Sequence, residues 1–281
     1  MIGIWNSGLR DEDPNAASEI REAAAELEEL GYAAIWLGAS PGIRHARPLL
    51  EATSRIVVAT GILNIWEHDA AEVAAQQAGL AKDHPGRFLL GLGASHSAIV
   101  KDYRKPYSAM VEFLDRLDAA GSPKADRVLA ALGPRMLALS RDRAAGAHPY
   151  LITPEHTAKA RAILGTGPLL APEVKVVLDT DPERARTTAR GRLAAYLGLP
   201  NYTGNLLRLG FTEDDFRDGG SDRLVDATFA WGGMDVIRER VAAHREAGAD
   251  QVVLQVVTAR GEALPRAQWR ELAAGLELRK R

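Results

Sequence analysis

The stretch that decides the fold runs from residue 86 to residue 96 and reads GRFLLGLGASH. Phe88, Leu89 and Leu90 form an apolar run without alternation, bounded by Gly86 and Gly91. Such a run reads as a strand buried on both faces, as strands of parallel sheets are. It ends in Gly91-Leu92-Gly93-Ala94-Ser95-His96. Glycines at a strand end either turn the chain or let another group come close to the backbone.

Outward from this stretch the chain alternates strands and helices. Strands are expected at 2–5 (IGIW), 33–38 (AAIWLG), 55–66 (RIVVATGILNIW), 87–93 (RFLLGLG), 127–133 (RVLAALG), 147–153 (AHPYLIT), 173–179 (EVKVVLD) and 250–257 (DQVVLQVV). Asp13-Pro14, Thr153-Pro154 and Asp181-Pro182 place a capping residue before a proline, which suits the first helical position. Asp69 with Glu72 three residues on reads as a capping box. Further helices are expected over about 108–120, 134–144 and 235–247, and from about 266. Strands that alternate with helices are parallel and joined by crossovers. Eight of them favour a closed (βα)8 TIM barrel, expected as a single domain over 1–281. An open doubly wound sheet would need Gly-x-Gly-x-x-Gly after the first strand, where this chain has NSGLRDED. The stretch 184–233 is too long for one connection and reads as a helical insertion after strand seven.

The chain has 281 residues, 46% of them apolar, a formal net charge of −2 and no cysteine. Mixed charge without a basic stripe argues against a nucleic-acid partner. The absence of cysteine excludes a disulfide framework and thiol chemistry. No apolar run reaches the length of a membrane span, and the first residues lack a secretory pattern. The expected setting is cytoplasmic, with no membrane partner.

Barrel chemistry gathers at the C-terminal ends of the strands. Here those ends offer Trp5-Asn6-Ser7, Ala39-Ser40, Asn64 through His68, Gly91 through His96, Gly133-Pro134-Arg135 and Thr153 through His156. Gly133-Pro134 opens a helix, whose first amides favour a phosphate. Scattered histidines, without His-x-His or His-Glu-x-x-His, argue against a metal site. Ser95 beside His96 lacks the Gly-x-Ser-x-Gly elbow of a hydrolase. Taken singly, His96 reads as a rim hydrogen-bonder, His68 as a neighbour of a helix cap, and Trp36 and Trp66 as packing.

GIWNSG with AAAELEELGYAAIWLG, then VVATGILNIWEHDAAEVAAQQAGLAKDHPGRFLLGLGASH, then YRKPYSAMVEFLDRLD resemble the luciferase-like flavin and deazaflavin oxidoreductases. Within them the chain is similar to a shorter actinobacterial branch of coenzyme F420-dependent enzymes. The resemblance covers nearly the whole chain and is most specific across the third and fourth strands. It implies a barrel with a ring cofactor across its mouth: coenzyme F420, or FMN in a luciferase-like monooxygenase. It also implies a non-proline cis peptide in strand three, falling on Thr60, Gly61 and Ile62. Asn64 would then reach the ring edge, and Gly91, Gly93, Ser95 and His96 would line the ring and its ribityl chain. Leu132, Gly133 and Pro134 would hold the cofactor phosphate. A small-molecule substrate would meet Trp5, Ser40, Trp66, Thr153 and His156. Many relatives carry an acid at the end of strand two, where this chain has Ala39-Ser40. That leaves His96, His68 and Glu67 as the candidate catalytic acids, or else a barrel that binds cofactor without turnover. A homodimer is the expected assembly.

Overall fold

The structure is a computed structural model that describes residues 1–10, 12–96, 105–261 and 263–279. Of the stretches quoted above, residues 11, 103 and 104 lie outside the described residues. The first half alternates β1 (Ile2–Asn6), α1 (Ala17–Glu29), β2 (Ala34–Gly38), α2 (Ala46–Glu51), β3 (Val57–Gly61), β4 (Leu63–Asn64), α3 (Ala70–Asp83), β5 (Phe88–Gly93) and α4 (Pro106–Ala119). It continues with β6 (Arg127–Leu129), α5 (Pro134–Arg143), β7 (Gly146–Ala147), α6 (Pro154–Leu164), β8 (Leu169–Leu170) and β9 (Glu173–Val177). Then come α7 (Pro182–Leu197), α8 (Pro200–Arg208), α9 (Asp222–Thr228), β10 (Phe229–Trp231), α10 (Met234–Glu246), β11 (Val252–Val256) and α11 (Arg266–Gly275).

All strand pairs are parallel, in the order β10-β9-β11-β1-β2-β3-β5-β6-β7-β8, with β4 beside β5. The ring closes through residues 169–177. Leu169 and Leu170 pair with β7, and the amides of Ala171 and Glu173 donate to the carbonyls of Ala147 and Pro149. On the other side β9 pairs with β11, and the amide of Val253 donates to the carbonyl of Pro172. The expected strand seven is therefore one passage in two pieces. Pro172, which has no amide hydrogen, interrupts it. The expected strand six keeps ladder pairing only at Gly146–Ala147, and Leu151 beyond it has φ 52°. The region after β9 is helical as expected, but it starts at Pro182 and ends in β10, which pairs with β9.

Side-chain alternation builds two cores. Ile4, Ile35, Leu37, Val58, Leu90, Leu92, Val174, Val176 and Leu254 face the helices. Trp5, Ala34, Trp36, Ala59, Val128, Ala171 and Val253 form the inner core. Two tryptophans among small residues fill this lumen. Trp36 lies flat on His148, with centroids 4.1 Å apart, and donates to Gln251 at 2.8 Å. Trp5 donates to the carbonyl of Gly61 at 2.9 Å, and a Cβ on Gly38 would lie 2.6 Å from its ring.

Two of the expected caps form, whereas Thr153 makes no side-chain cap bond at the start of α6, and Pro14 opens a short 3-10 turn ahead of α1 rather than α1 itself. Asp69 accepts from the amides of Ala71 and Glu72, and Asp181 accepts from that of Arg184. Gly31, with φ 90°, follows the last turn of α1.

Strand three contains one residue too many. Ala59 pairs with Leu89, but Leu63 pairs with Leu92, so three residues oppose two. The extra residue makes a bulge, and the Gly61–Ile62 peptide within it is cis. The Thr60 hydroxyl bridges the gap, donating to the carbonyl of Gly91 and accepting from its amide, each at 2.8 Å. A Cβ on Gly91 would lie 1.9 Å from the carbonyl oxygen of Thr60, and one on Gly93 would lie 2.3 Å from Ile62 Cδ1. These glycines make room for the neighbouring strand.

Gly91→Ala should lower unfolding free energy by at least about 2 kcal/mol, because backbone opposes the new methyl and overpacking of this kind is costly. Gly79→Ala, inside α3 with nothing near the added Cβ, should raise it by up to about 1 kcal/mol. Urea denaturation of both variants checks the pair, and equal effects would overturn the account.

Candidate active site

The C-terminal mouth of the barrel contains two cavities. The larger, about 700 Å³, lies between the ends of β1 and β11 and the α7 helix, and is lined by residues that include Trp5, Ser7, Thr187, Arg192, Gln255 and Thr258. The smaller, about 290 Å³, lies over the strand-three bulge and the ends of β5 and β6, with α8 as its roof. Ile62, Gly93, Ser95, His96, Leu132 and Gly133 all line this one. Six of the candidate residues thus converge, although they come from three strands far apart in the chain.

A partition of Trp5, Tyr150 and Gln255 stands between the cavities. Trp5 and Tyr150 have ring centroids 5.5 Å apart, and the Tyr150 hydroxyl donates to Gln255 at 2.7 Å. Tyr150 and Tyr196 share a hydrogen bond of 2.6 Å between their hydroxyls. Beneath the partition lies an ion pair. Lys175 donates to both oxygens of Glu173, at 3.0 and 2.9 Å, and its ammonium is 3.7 Å from the Tyr150 ring centroid. Both charged side chains are fully buried. Burial lowers the Lys175 pKa to about 8, and Glu173 opposes the fall. Burial also pushes the Tyr150 phenol well above its usual value, helped by Tyr196 and Glu173, so this hydroxyl stays protonated.

Sequence reading missed this pair. The available signal was Glu173-Val174-Lys175, two charges at i and i+2 in an apolar strand buried on both faces. Those charges point where Val174 and Val176 do not, into the lumen.

Three histidines differ in role. His96 lines the smaller cavity, its ring 5.3 Å from that of Tyr202. Burial lowers its pKa, and a hydrogen bond with Asn201 partly offsets the fall. His148 lines the same cavity. Its Nδ1 donates to the carbonyl of Ala171 at 2.6 Å, which leaves Nε2 as a buried lone pair without a partner. His156 is buried and donates from Nε2 to the carbonyl of Leu132 at 2.9 Å. It fixes the cavity wall from behind.

At the far end of the smaller cavity, Gly133 and Pro134 open α5 without a side-chain cap. Arg208, from α8, lines the cavity there, with Nη2 4.0 Å from the place of a Gly133 Cβ. An uncapped helix start facing a guanidinium has the chemistry to hold an anion. No sequence signal links Arg208 to Gly133, because only the fold of the insertion brings them together.

The other candidates lie outside the lining of the smaller cavity. Thr60 and Gly91 are buried against each other beneath it, and Gly61 carries the bond to Trp5. Asn64 is fully buried and donates to Glu67 at 2.7 Å, so its amide is spent locally and does not reach the mouth. Glu67 is exposed, and His68 stands beside Gly42. Trp66 donates to the carbonyl of Ala94 and ties the rim together. Ser40 is exposed, and Thr153 is buried at the start of α6. Trp5 lines the larger cavity. Ala39, with φ 63°, accepts the amide of Ile62 at 3.1 Å and brings no acid to the end of β2. Among the described residues no group of histidine and carboxylate side chains is placed to hold a metal, and no helix is long and apolar enough to cross a membrane.

Residues 2–124 match the family described as luciferase-like monooxygenase, in keeping with the resemblance read from the sequence. Comparison with curated protein sequences gives no match. Among solved structures, an F420-dependent secondary alcohol dehydrogenase in complex with an F420–acetone adduct is 13% identical, with TM-score 0.74 over 100% of this chain and 99% of its own. The coenzyme F420-dependent tetrahydromethanopterin reductase from Methanopyrus kandleri is 16% identical, with TM-score 0.66 over 99% and 97%. The oxygenating constituent of 3,6-diketocamphane monooxygenase from Pseudomonas putida, a type II Baeyer–Villiger monooxygenase in complex with FMN, is 15% identical, with TM-score 0.69 over 100% and 99%. At these identities the likeness is one of fold.

The buried histidines set a pH limit. Burial holds His148 near a pKa of about 4 and His244 near about 3, whereas an unfolded chain titrates them near about 6.5. The unfolded state therefore binds more protons as pH falls below about 6.5, and stability drops down to the folded pKa. His148 alone accounts for on the order of 3 kcal/mol of that loss. Melting temperatures between pH 7 and 4 should fall more steeply for wild type than for His148→Phe. Identical slopes would overturn the assignment.

Proposed function

From a chain that carries the luciferase-like pattern over residues 2–124 and this barrel over its length, we propose an oxidoreductase that binds a deazaflavin, coenzyme F420, and transfers a hydride to or from a small organic substrate. One observation carries the reading. The smaller cavity joins an apolar floor at the Ile62 bulge to an anion site at Gly133 and Arg208. That is the chemistry of a flat ring on a phosphate-bearing tail. The neighbours that use F420 and the branch resemblance support F420, whereas the FMN-bound monooxygenase of the same fold supports FMN.

The residues divide the work. Ile62, Ala130 and Met136 offer the ring a face free of water. Arg208 and the first amides of α5 hold the phosphate. His148 Nε2, which has no partner within the protein, would accept a hydrogen bond from the bound group. The chemistry supplied by the bound group is hydride transfer. Because Ala39 brings no acid, and burial keeps His148 neutral with a pKa of about 4, His96 is left as the imidazole that can give or take the accompanying proton. Its pKa lies below the usual histidine value, so proton donation fades as pH rises through a point under about 6.5.

Fluorescence titration should show tighter binding of F420 than of FMN, and the reverse order would make the protein a flavin monooxygenase. Arg208→Gln should weaken cofactor binding at least about tenfold, as expected for loss of a charge-assisted bond. His96→Ala should lower the maximal rate at least about tenfold with cofactor affinity little changed. If affinity collapses and the saturated rate does not, His96 is a cofactor ligand. Cofactor binding without turnover across a substrate screen would favour a non-catalytic barrel.

A further inference from the structure

We propose that the larger cavity is the substrate subsite and that it takes an anionic group, a carboxylate or a phosphate carried on a small organic molecule. This rests on the oxidoreductase reading and names its substrate class.

The charge balance of the mouth carries the inference. Two cations, Lys175 and Arg192, face one carboxylate, Glu173. Both oxygens of Glu173 accept from Lys175, and one accepts from the amide of Leu151 at 3.2 Å. Lys175 thus occupies the carboxylate and Arg192 does not pair with it. Arg192 lies in the cavity wall, its guanidinium 5.6 Å from the Tyr196 ring centroid and its Nε buried without a hydrogen-bond partner. Burial opposes its charge and Tyr196, Tyr150 and Glu173 together favour it, yet among the described residues it has no directly paired counter-ion. An anion in the cavity would supply one.

The lining agrees. Among the described residues it contains no aspartate or glutamate, whereas Arg260 stands on the loop after β11 and Thr187 and Thr188 bring hydroxyls from α7. Gly191 keeps the wall open, because a Cβ there would meet nothing within 4 Å. A glycine inside a helix weakens it, and here it leaves space one residue from Arg192. The cavity reaches the partition at Trp5 and Gln255, so an anion bound at Arg192 holds the rest of its molecule against the wall of the cofactor cavity.

Isothermal titration at low salt tests the proposal with benzoate, phenyl phosphate and the neutral isostere benzamide. Wild type should bind at least one of the two anions and discriminate against benzamide, and the comparison of benzoate with phenyl phosphate tells which anion is preferred. Arg192→Gln should weaken anion binding at least about tenfold. Gly191→Phe, which fills the cavity while leaving Arg192 in place, should abolish it, with helical circular dichroism retained in both variants. Failure of both anions to bind wild type, benzamide binding as well as the anions, or unchanged anion affinity in either variant would overturn the proposal. F420 and FMN titrations of wild type report on the oxidoreductase reading separately. If neither cofactor binds while the anion result holds, that reading fails and the anion site stands.

Discussion

Between Ala59 and Leu63 strand three carries one residue more than β5 can match, and the shape of the mouth follows from where that surplus goes. A closed barrel cannot absorb an extra residue by sliding the strand, because a one-residue shift would exchange its lumen and helix faces. The surplus instead leaves the ladder as a bulge. Thr60 replaces the lost backbone pairing with two side-chain bonds to Gly91, and Gly91 and Gly93 give up their side chains so that the bulge fits. Ile62 is thereby turned into the smaller cavity, and its amide is held by Ala39. The floor of the smaller cavity is a consequence of strand register.

The second constraint is the charge inside the lumen. A buried ion pair gains from mutual attraction about what it loses in desolvation, so it is a poor source of stability. The Glu173–Lys175 pair is better understood by what it positions. Lys175 lies against Tyr150, Glu173 takes the amide of Leu151, and Tyr150 reaches Gln255 and Tyr196. The partition between the cavities is fixed from below by these contacts. Among the described residues the same set leaves Arg192 without a directly paired carboxylate, which ties the architecture of the wall to the chemistry of the larger cavity.

Sequence reading found the rim but assigned some of its parts to the wrong neighbour. Gly91 reads as space for a cofactor, and its nearest obligation is to strand three, whereas Gly93 both clears Ile62 and lines the smaller cavity. His156 was read as a substrate contact, and it braces the carbonyl of Leu132 from behind. Asn64 was placed at a ring edge, and its amide is bound to Glu67. For Asn64 and His156 the position at the rim was legible but the direction of the side chain was not. A bulge reverses alternation downstream of itself, and a helix start hides which flank its side chains take. Residues contributed by the insertion, Arg192, Tyr202 and Arg208, had no local signature at all.

Local patterning by itself determined the alternation of strands and helices, the count that closes a barrel, the helix starts at Asp69, Thr153 and Asp181, and the rim on which polar residues collect. Those features depend on neighbours within a few positions, where periodicity and capping act. Only the tertiary structure decided that residues 169–177 form one interrupted strand, that Glu173 and Lys175 face inward as a pair, that Arg208 meets Gly133, and that the mouth is two cavities. Apart from the spacing of Glu173 and Lys175, these depend on contacts between residues up to 145 positions apart, whose energies are set by burial, register and charge balance and leave no periodic trace in the chain.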